Sequence, residues 1–282
     1  MPVVPVSLLE PVWEQFAVLL PDHPAVDPLH PLGCHRRRVP DRVVFDHVVA
    51  ALVHGSGDER IATPGCSDRT IRRRVQEWAE LGVAQTLHTL TLAHSDRMIG
   101  LDLDDIVVDG CITKAPCGGE KAGRSPVDRG KQGLKRSTLA DGRGVPLHLV
   151  SAGAHRHDAP LLAPTVDGLD PLRPLPADVT AHLDRGYAGA PTRTLLDGLG
   201  IAGVIARKGI PAPLQVGKRW VVERTQSWMN GYGKLRRCTE RHGLVVDFYL
   251  FLAAALVVTR RLIQEARARY RWPNQPTTRR LT

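Results

Sequence analysis

Along the first hundred residues, apolar positions recur every three or four places, the spacing of helices that bury one face. The clearest case is RVVFDHVVAALVH, Arg42 to His54, which stops at Gly55. Next comes SGDERIATPGCSDRTIRRRVQEWAELG, where Pro64-Gly65 makes a turn between a short helical stretch and a longer one. Ser67 is placed to cap the longer helix, and Gly82 falls just past its end. Short helix, turn and helix form the outline of a helix-turn-helix. Arg69, Arg72, Arg73 and Arg74 decorate the second member, where they could meet phosphates. A solvated basic face would look the same.

Past residue 103 the period changes. IVVDGCITK (106–114), KRSTLAD (135–141) and VPLHLVSAG (145–153) read as three strands, with Asp141-Gly142 as a hairpin signal between the last two. DVTAHLD (178–184) and IAGVIARKG (201–209) read as a fourth and a fifth. Helices are expected from Pro160 to Gly168, over APTRTLLDGLG, from Arg219 to Arg237 and from Leu244 to Tyr270. Hairpins followed by strand-helix-strand imply an α/β fold, a mixed five-stranded sheet with helices packed on it. The apolar run Leu244 to Val258 contains Asp247 and is short for a bilayer span, so it reads as a buried helix and no membrane partner is expected. The chain thus divides into a helical region (1–100), an α/β region (101–272) and a Pro- and Thr-rich flexible tail (273–282).

Composition adds a partner class. A net charge of +9 and a pI near 9.7 point to a polyanion, without choosing nucleic acid over a membrane surface. The five cysteines are scattered and include no C-x-x-C, which excludes a disulfide framework or a zinc ribbon and suits a reducing cytoplasm. The opening MPVVPVSLLEPVWEQ lacks a basic n-region and is broken by prolines, so no signal peptide is expected.

Candidate chemistry begins at Asp109, which follows the apolar Ile106-Val107-Val108. A carboxylate at the end of a buried strand needs compensation, which a metal ion would supply. Asp109-Gly110 is also a common turn dipeptide, so both readings stand here. The fourth strand ends in Asp184, and Glu223 falls in the first turns of a later helix. On that helix Glu223, Ser227, Asn230, Lys234 and Arg237 are spaced to share one face, opposite a broad apolar side. Gly231 and Gly233 weaken it and mark a kink or a close approach. Three converging carboxylates would suit hard divalent cations, and two such ions about 3.5–4 Å apart can drive in-line displacement at phosphorus. Spacing alone does not separate that arrangement from three unrelated carboxylates.

Residues 114–136 hold seven basic side chains against two acidic ones, with five glycines. Lys131, Lys135 and Arg136 belong to it, and a flexible cationic loop beside Asp109 would suit a DNA backbone. A merely solvated loop is the alternative. The same segment contains G-x-x-x-x-G-R-S, but Arg124 replaces the lysine of a P-loop and Pro126 spoils the following helix. His155, His157 and Asp158 could be read as a metal cluster; the better reading has Asp158 capping the helix at Ala159-Pro160, with the histidines in a loop. Cys111 and Cys117 lack ligand partners.

The blocks VVDGCITKAPCGGE, DRGKQGLKRSTLADGRGVPL, SAGAHRHDAPLL, HLDRGYAG and RWVVERTQSWMNGYGKLRR resemble, in order, those of bacterial insertion-sequence transposases of the DDE type, in particular the IS-five-like group. The resemblance runs over nearly the whole chain, and its most specific block is the last. It implies an RNase H-like catalytic domain over 101–272, with Asp109, Asp184 and Glu223 as a catalytic triad holding two Mg²⁺ ions, replaceable by Mn²⁺. It further implies cleavage at the element's terminal inverted repeats, transfer of the freed strand into target DNA, a homodimer or larger synapse, and work at the bacterial nucleoid. Arg219, Asn230, Lys234, Arg237, Lys131, Lys135, Arg136, Arg69, Arg72 and Arg73 are the expected DNA contacts. Relatives carry Tyr seven residues before the glutamate, Arg four before and Lys seven after; here these are Val216, Arg219 and Asn230, with Lys234 one turn further on. A nuclease without joining activity and an inactive DNA-binding relic are the alternatives.

Overall fold

In the computed structural model, residues 4–22, 38–206 and 218–270 are described. The helices of the N-terminal half are α1 (Val6–Ala17), α2 (Asp41–His54), α3 (Asp58–Ile61), α4 (Asp68–Glu80) and α5 (Val83–Met98). The strands are β1 (Asp105–Lys114), β2 (Gly123–Arg124), β3 (Gln132–Asp141), β4 (Pro146–Gly153), β5 (Thr180–Leu183) and β6 (Ala202–Ile205). Helices α6 (Ala159–Val166) and α7 (Ala190–Leu199) lie between strands, and α8 (Arg219–Asn230), α9 (Gly233–Arg236) and α10 (Gly243–Arg269) follow them.

Strand β1 is central. Ile106, Val107 and Val108 are each at most 1% exposed, because both faces of the strand are covered. Ile106 and Val108 join Leu139, Ala181, Leu183, Leu162 and Leu196 on the side of α6 and α7. Val107 packs against Val221 and Val222 of α8 on the other side. Burial on both faces explains a continuous apolar run where alternation would mark a half-exposed strand.

Strand β3 runs antiparallel between β1 and β4, pairing Leu139 with Val108 and with His148. Strand β5 lies parallel to the other edge of β1, and β6 parallel to β5. The order is therefore β4-β3-β1-β5-β6, with β2 a two-residue addition to the edge of β3. A three-strand meander followed by parallel strands beside the first is the mixed five-stranded sheet expected of an RNase H-like fold. The β3–β4 turn is the expected Asp141-Gly142 hairpin: buried Asp141 accepts from Arg143 N at 3.0 Å and Val145 N at 2.7 Å through Oδ1.

The N-terminal helices pack around α10. Phe16, Phe45 and Trp78 share one core with Phe248, Leu252 and Leu256, and Trp78 is fully buried. By length and composition α10 could cross a membrane, yet 83% of its apolar stretch is buried inside the protein, as expected of a core helix. Ser67 caps α4 as its sequence requires, accepting from Thr70 N.

Two expectations change, and a third runs outside the described residues. The helix expected from Arg219 to Arg237 breaks after Asn230, and Tyr232 is extended before α9 begins. The reason is the anticipated close approach: a Cβ on Gly55 would lie 2.7 Å from the Gly233 carbonyl carbon, so two glycine backbones touch where α2 ends. The fifth strand ends at Ile205, and its expected continuation to residue 209 lies outside the described residues, as does the 273–282 tail. Arg74 does not face outward with Arg69 and Arg73; it is 1% exposed and pairs with Asp41 at 2.5 Å.

Candidate active site

Asp109 sits in the middle of β1 rather than at its end, so Asp109-Gly110 is strand and the turn reading falls. The registered pairs of β1 and β5 end at Val108 and Leu183, and one step further brings Asp109 beside Asp184. Both residues are half-buried. Alternation from Val107 puts the Asp109 side chain on the α8 side of the sheet. Each carboxylate is oriented by a glycine N–H: Gly110 N donates to Asp109 Oδ1 at 2.7 Å, and Gly186 N donates to Asp184 Oδ1 at 2.7 Å.

Glu223 lies on α8 and is exposed. Its helix is fixed over the same part of the sheet, because Val222 packs on Val107 and Gln226 donates to Thr138, the residue paired with Asp109 across the strands, at 2.7 Å. The helix therefore lies over the face of the sheet that Asp109 occupies, and Glu223 is exposed on it. Among the described residues, no three His, Cys, Asp or Glu side chains come together as a group that could hold a metal. Asp109 and Asp184 are a hard, anionic oxygen pair, the donor chemistry that a divalent cation prefers.

Asp158 is the residue that sequence reasoning misplaced. It occupies the N-cap position of α6, but its side chain makes no capping bond. Lys135 Nζ, 7% exposed, pairs with its Oδ1 at 2.9 Å instead. A methyl group on Gly110 would collide with that same Oδ1, and one on Gly186 would lie 3.6 Å from Oδ2. Beside them Tyr187 is 1% exposed. Burial, then the charges of Asp158 and Asp109, push its phenol above the ordinary range, outweighing a hydrogen bond with Ser137, and Asp184 adds a smaller push.

The expected DNA contacts separate by burial. Lys131 is 66% exposed at the tip between β2 and β3, and Arg124 and Arg129 are exposed near it. Lys135 and Arg136 are not in a loop; they lie within β3 and are buried. Arg136 Nη2 donates to Asn230 Oδ1 at 2.6 Å and contacts Cys111 Sγ at 3.4 Å, so Asn230 is a strand-to-helix tie. Lys234 has left Glu223's face with the break in the helix: it is 4% exposed, pairs with Glu240 and lies 5.0 Å from the Tyr249 ring centre. Arg237 is exposed beside the backbone of Lys114. Arg69 and Arg73 are exposed on α4, and Arg72, 60% exposed, lies 3.5 Å from Asp68. Arg219 heads α8, and its side chain is outside the described residues.

A cation–aromatic ladder on α8 was also missed. Arg224 stacks between Trp220 and Trp228, 4.5 and 4.9 Å from their ring centres, and Arg261 covers Trp228 at 5.1 Å. Its signal was available as Trp, Arg and Trp at four-residue spacing.

Residues 98–210 match the family model described as a transposase DDE domain, a span that includes Asp109 and Asp184 and ends before Glu223. Over 146 residues, half of this chain and 69% of the relative, the sequence is 34% identical to a Burkholderia cepacia protein named as a transposase for insertion sequence element IS402. Among solved structures, a pre-cleavage Mos1 transpososome is similar over 95% of this chain and 89% of its own, at 11% identity and a TM-score of 0.34. The Mos1 strand transfer complex covers 86% and 80%, at 12% identity and a TM-score of 0.31. Similarity at that level carries no argument about this chain.

Proposed function

The chain belongs to the DDE transposases of bacterial insertion sequences, and from that premise we propose that Asp109, Asp184 and Glu223 are the carboxylates with which it cuts the ends of its element and joins them to target DNA. The observation that supports the reading is the parallel register of β1 and β5, which ends one residue before Asp109 and Asp184, each carboxylate accepting from a backbone N–H. Family membership implies a divalent metal. Mg²⁺ is the proposed ion, two per site with Mn²⁺ as a substitute, held by the two aspartates and by Glu223 from α8. When bound, the ions supply positive charge at the scissile phosphate and lower the pKa of the attacking group.

The chain's own contribution is placement. The glycine N–H donors fix two carboxylates before DNA arrives, and Gln226 fixes α8 over them. The exposed Arg124, Arg129 and Lys131, with Arg69 and Arg73 on α4 and Arg237, are proposed to hold DNA backbone, as is Arg219 four residues before Glu223. Two ends must be held together for joining, so the proposed working form is a homodimer or larger assembly at the nucleoid in the cytoplasm.

The test uses purified protein and DNA carrying its own element ends. Asp109→Asn, Asp184→Asn and Glu223→Gln should each abolish strand cleavage in Mg²⁺ while leaving gel-shift affinity largely unchanged, since affinity comes from phosphate contacts elsewhere. Full cleavage by any one variant removes that residue from the site. Pre-cut ends offered with a supercoiled target separate the activities: an unmodified protein that nicks but never joins is a nuclease.

A further inference from the structure

We propose that Asp158 is a positioning residue for the two catalytic aspartates, set in place by Lys135; the inference rests on Asp109 and Asp184 being the metal-binding pair. The two N–H groups that orient those carboxylates belong to Gly110 and Gly186. Asp158 lies between the two glycines, its Oδ1 filling the place of a Gly110 side chain and its Oδ2 3.6 Å from where a Gly186 Cβ would stand. It comes from the start of α6, so one carboxylate packs on β1 at Gly110 and faces the turn after β5 at Gly186. Lys135, buried in β3, holds it there through the 2.9 Å ion pair.

Such an arrangement has a cost that a structural helix end would not require. Lys135 is removed from solvent, and a desolvated ammonium is maintained only by a partner. The ordinary function of an N-cap aspartate, accepting from the helix's first N–H groups, is given up. Position 110 is limited to glycine by the carboxylate rather than by its backbone, whose φ is not in the left-handed region. The buried Tyr187 hydroxyl lies in the combined field of Asp158, Asp109 and Asp184. Asp158 therefore sets the separation of the two glycines, and through their N–H groups the separation of the two carboxylates. Supporting groups around metal ligands typically change metal affinity by about ten- to a hundredfold when removed.

Asp158→Asn keeps the shape and removes the charge held by Lys135. Gly110→Ala keeps the charge and displaces the carboxylate, a shift of a flexible side-chain end that leaves the strand intact. Both should raise the Mg²⁺ midpoint for cleavage about tenfold and weaken Mn²⁺ binding, read as free Mn²⁺ by electron paramagnetic resonance, with DNA affinity near that of the unmodified protein; Asp158→Asn, which leaves the buried Lys135 ammonium without its anion, should also lower the melting temperature. Lys135→Met should behave like Asp158→Asn. A folded Asp158→Asn or Gly110→Ala that binds Mn²⁺ and responds to Mg²⁺ as the unmodified protein does overturns the proposal, and if Asp158→Asn fails to fold, Gly110→Ala alone decides. Asp109→Asn and Asp184→Asn are run in parallel. If they still cleave, the catalytic reading fails; if they are inactive while Gly110→Ala is normal, only the role of Asp158 fails.

Discussion

Lys234 and Lys131 carry the same charge in opposite surroundings. Lys234 is 4% exposed against Glu240 and the Tyr249 ring, whereas Lys131 is 66% exposed. Truncating Lys234 to Ala leaves Glu240 facing a buried gap, and should cost about 3 kcal/mol of stability in a urea titration, the lower end of the range for a broken buried pair because Glu240 is a quarter exposed. Arg124, Arg129 and Lys131 changed together to Ala should leave stability unaltered. They should instead flatten the log–log salt dependence of DNA binding by about 0.9 per lost phosphate contact. His88 tests burial in another way. It is fully buried, and desolvation, outweighing its bond to the Pro146 carbonyl and helped by nearby His148, lowers its pKa to about 4. The unfolded chain takes up that proton below about pH 6.5 while the folded one does not, so stability present above 6.5 is lost as pH falls towards 4. The slope from this residue should reach about 1.4 kcal/mol per pH unit, and His88→Gln should remove it from a series of urea midpoints.

At the scale of elements, the contact between α2 and α9 does more than either helix end. Gly55 closes α2 in a left-handed conformation, φ +68°, and its backbone meets that of Gly233. That contact fixes the break after Asn230, which takes Lys234 into the core and leaves Glu223 on α8. Gly233→Ala places a methyl group on the Gly55 backbone, which cannot move aside as a side chain would. The expected loss is about 1–3 kcal/mol in urea, together with increased protease access at the α8–α9 junction. Helical spacing in RWVVERTQSWMNGYGKLRR was legible, and so were the two glycines; the break was not, because it depends on a partner glycine far away in sequence.

The whole molecule is held by α10, which is covered by the N-terminal helices on one side and reaches the sheet on the other. Leu149 of β4 and Phe16 of α1 belong to the same core, and Val258 of α10 belongs to the core of the sheet. Stability should therefore pass between the helical region and the sheet as a unit. Trp78→Ala, a change in the helical half of the fold, should cost about 3–5 kcal/mol and speed amide hydrogen exchange in β1 and β3 as well as in α4. Unchanged exchange in β1 would mean that the two halves unfold independently.

The sequence alone determined the periods of the elements, their order along the chain and the local ends that use one side chain, such as Ser67 at α4 and Asp141 in the hairpin. These depend on residues within a turn or two of each other, so they are legible locally. The resemblance of five ordered blocks also carried the family. Only the tertiary structure decided which charges stay in water. Lys135 and Arg136 are adjacent in β3, and their burial comes from Asp158, Asn230 and Cys111, residues 23 or more positions away. The use of Asp158 was hidden for the same reason: a carboxylate before a helix is a cap by local rules, and only β1, β3 and the turn after β5, brought together by the sheet, offer it another partner.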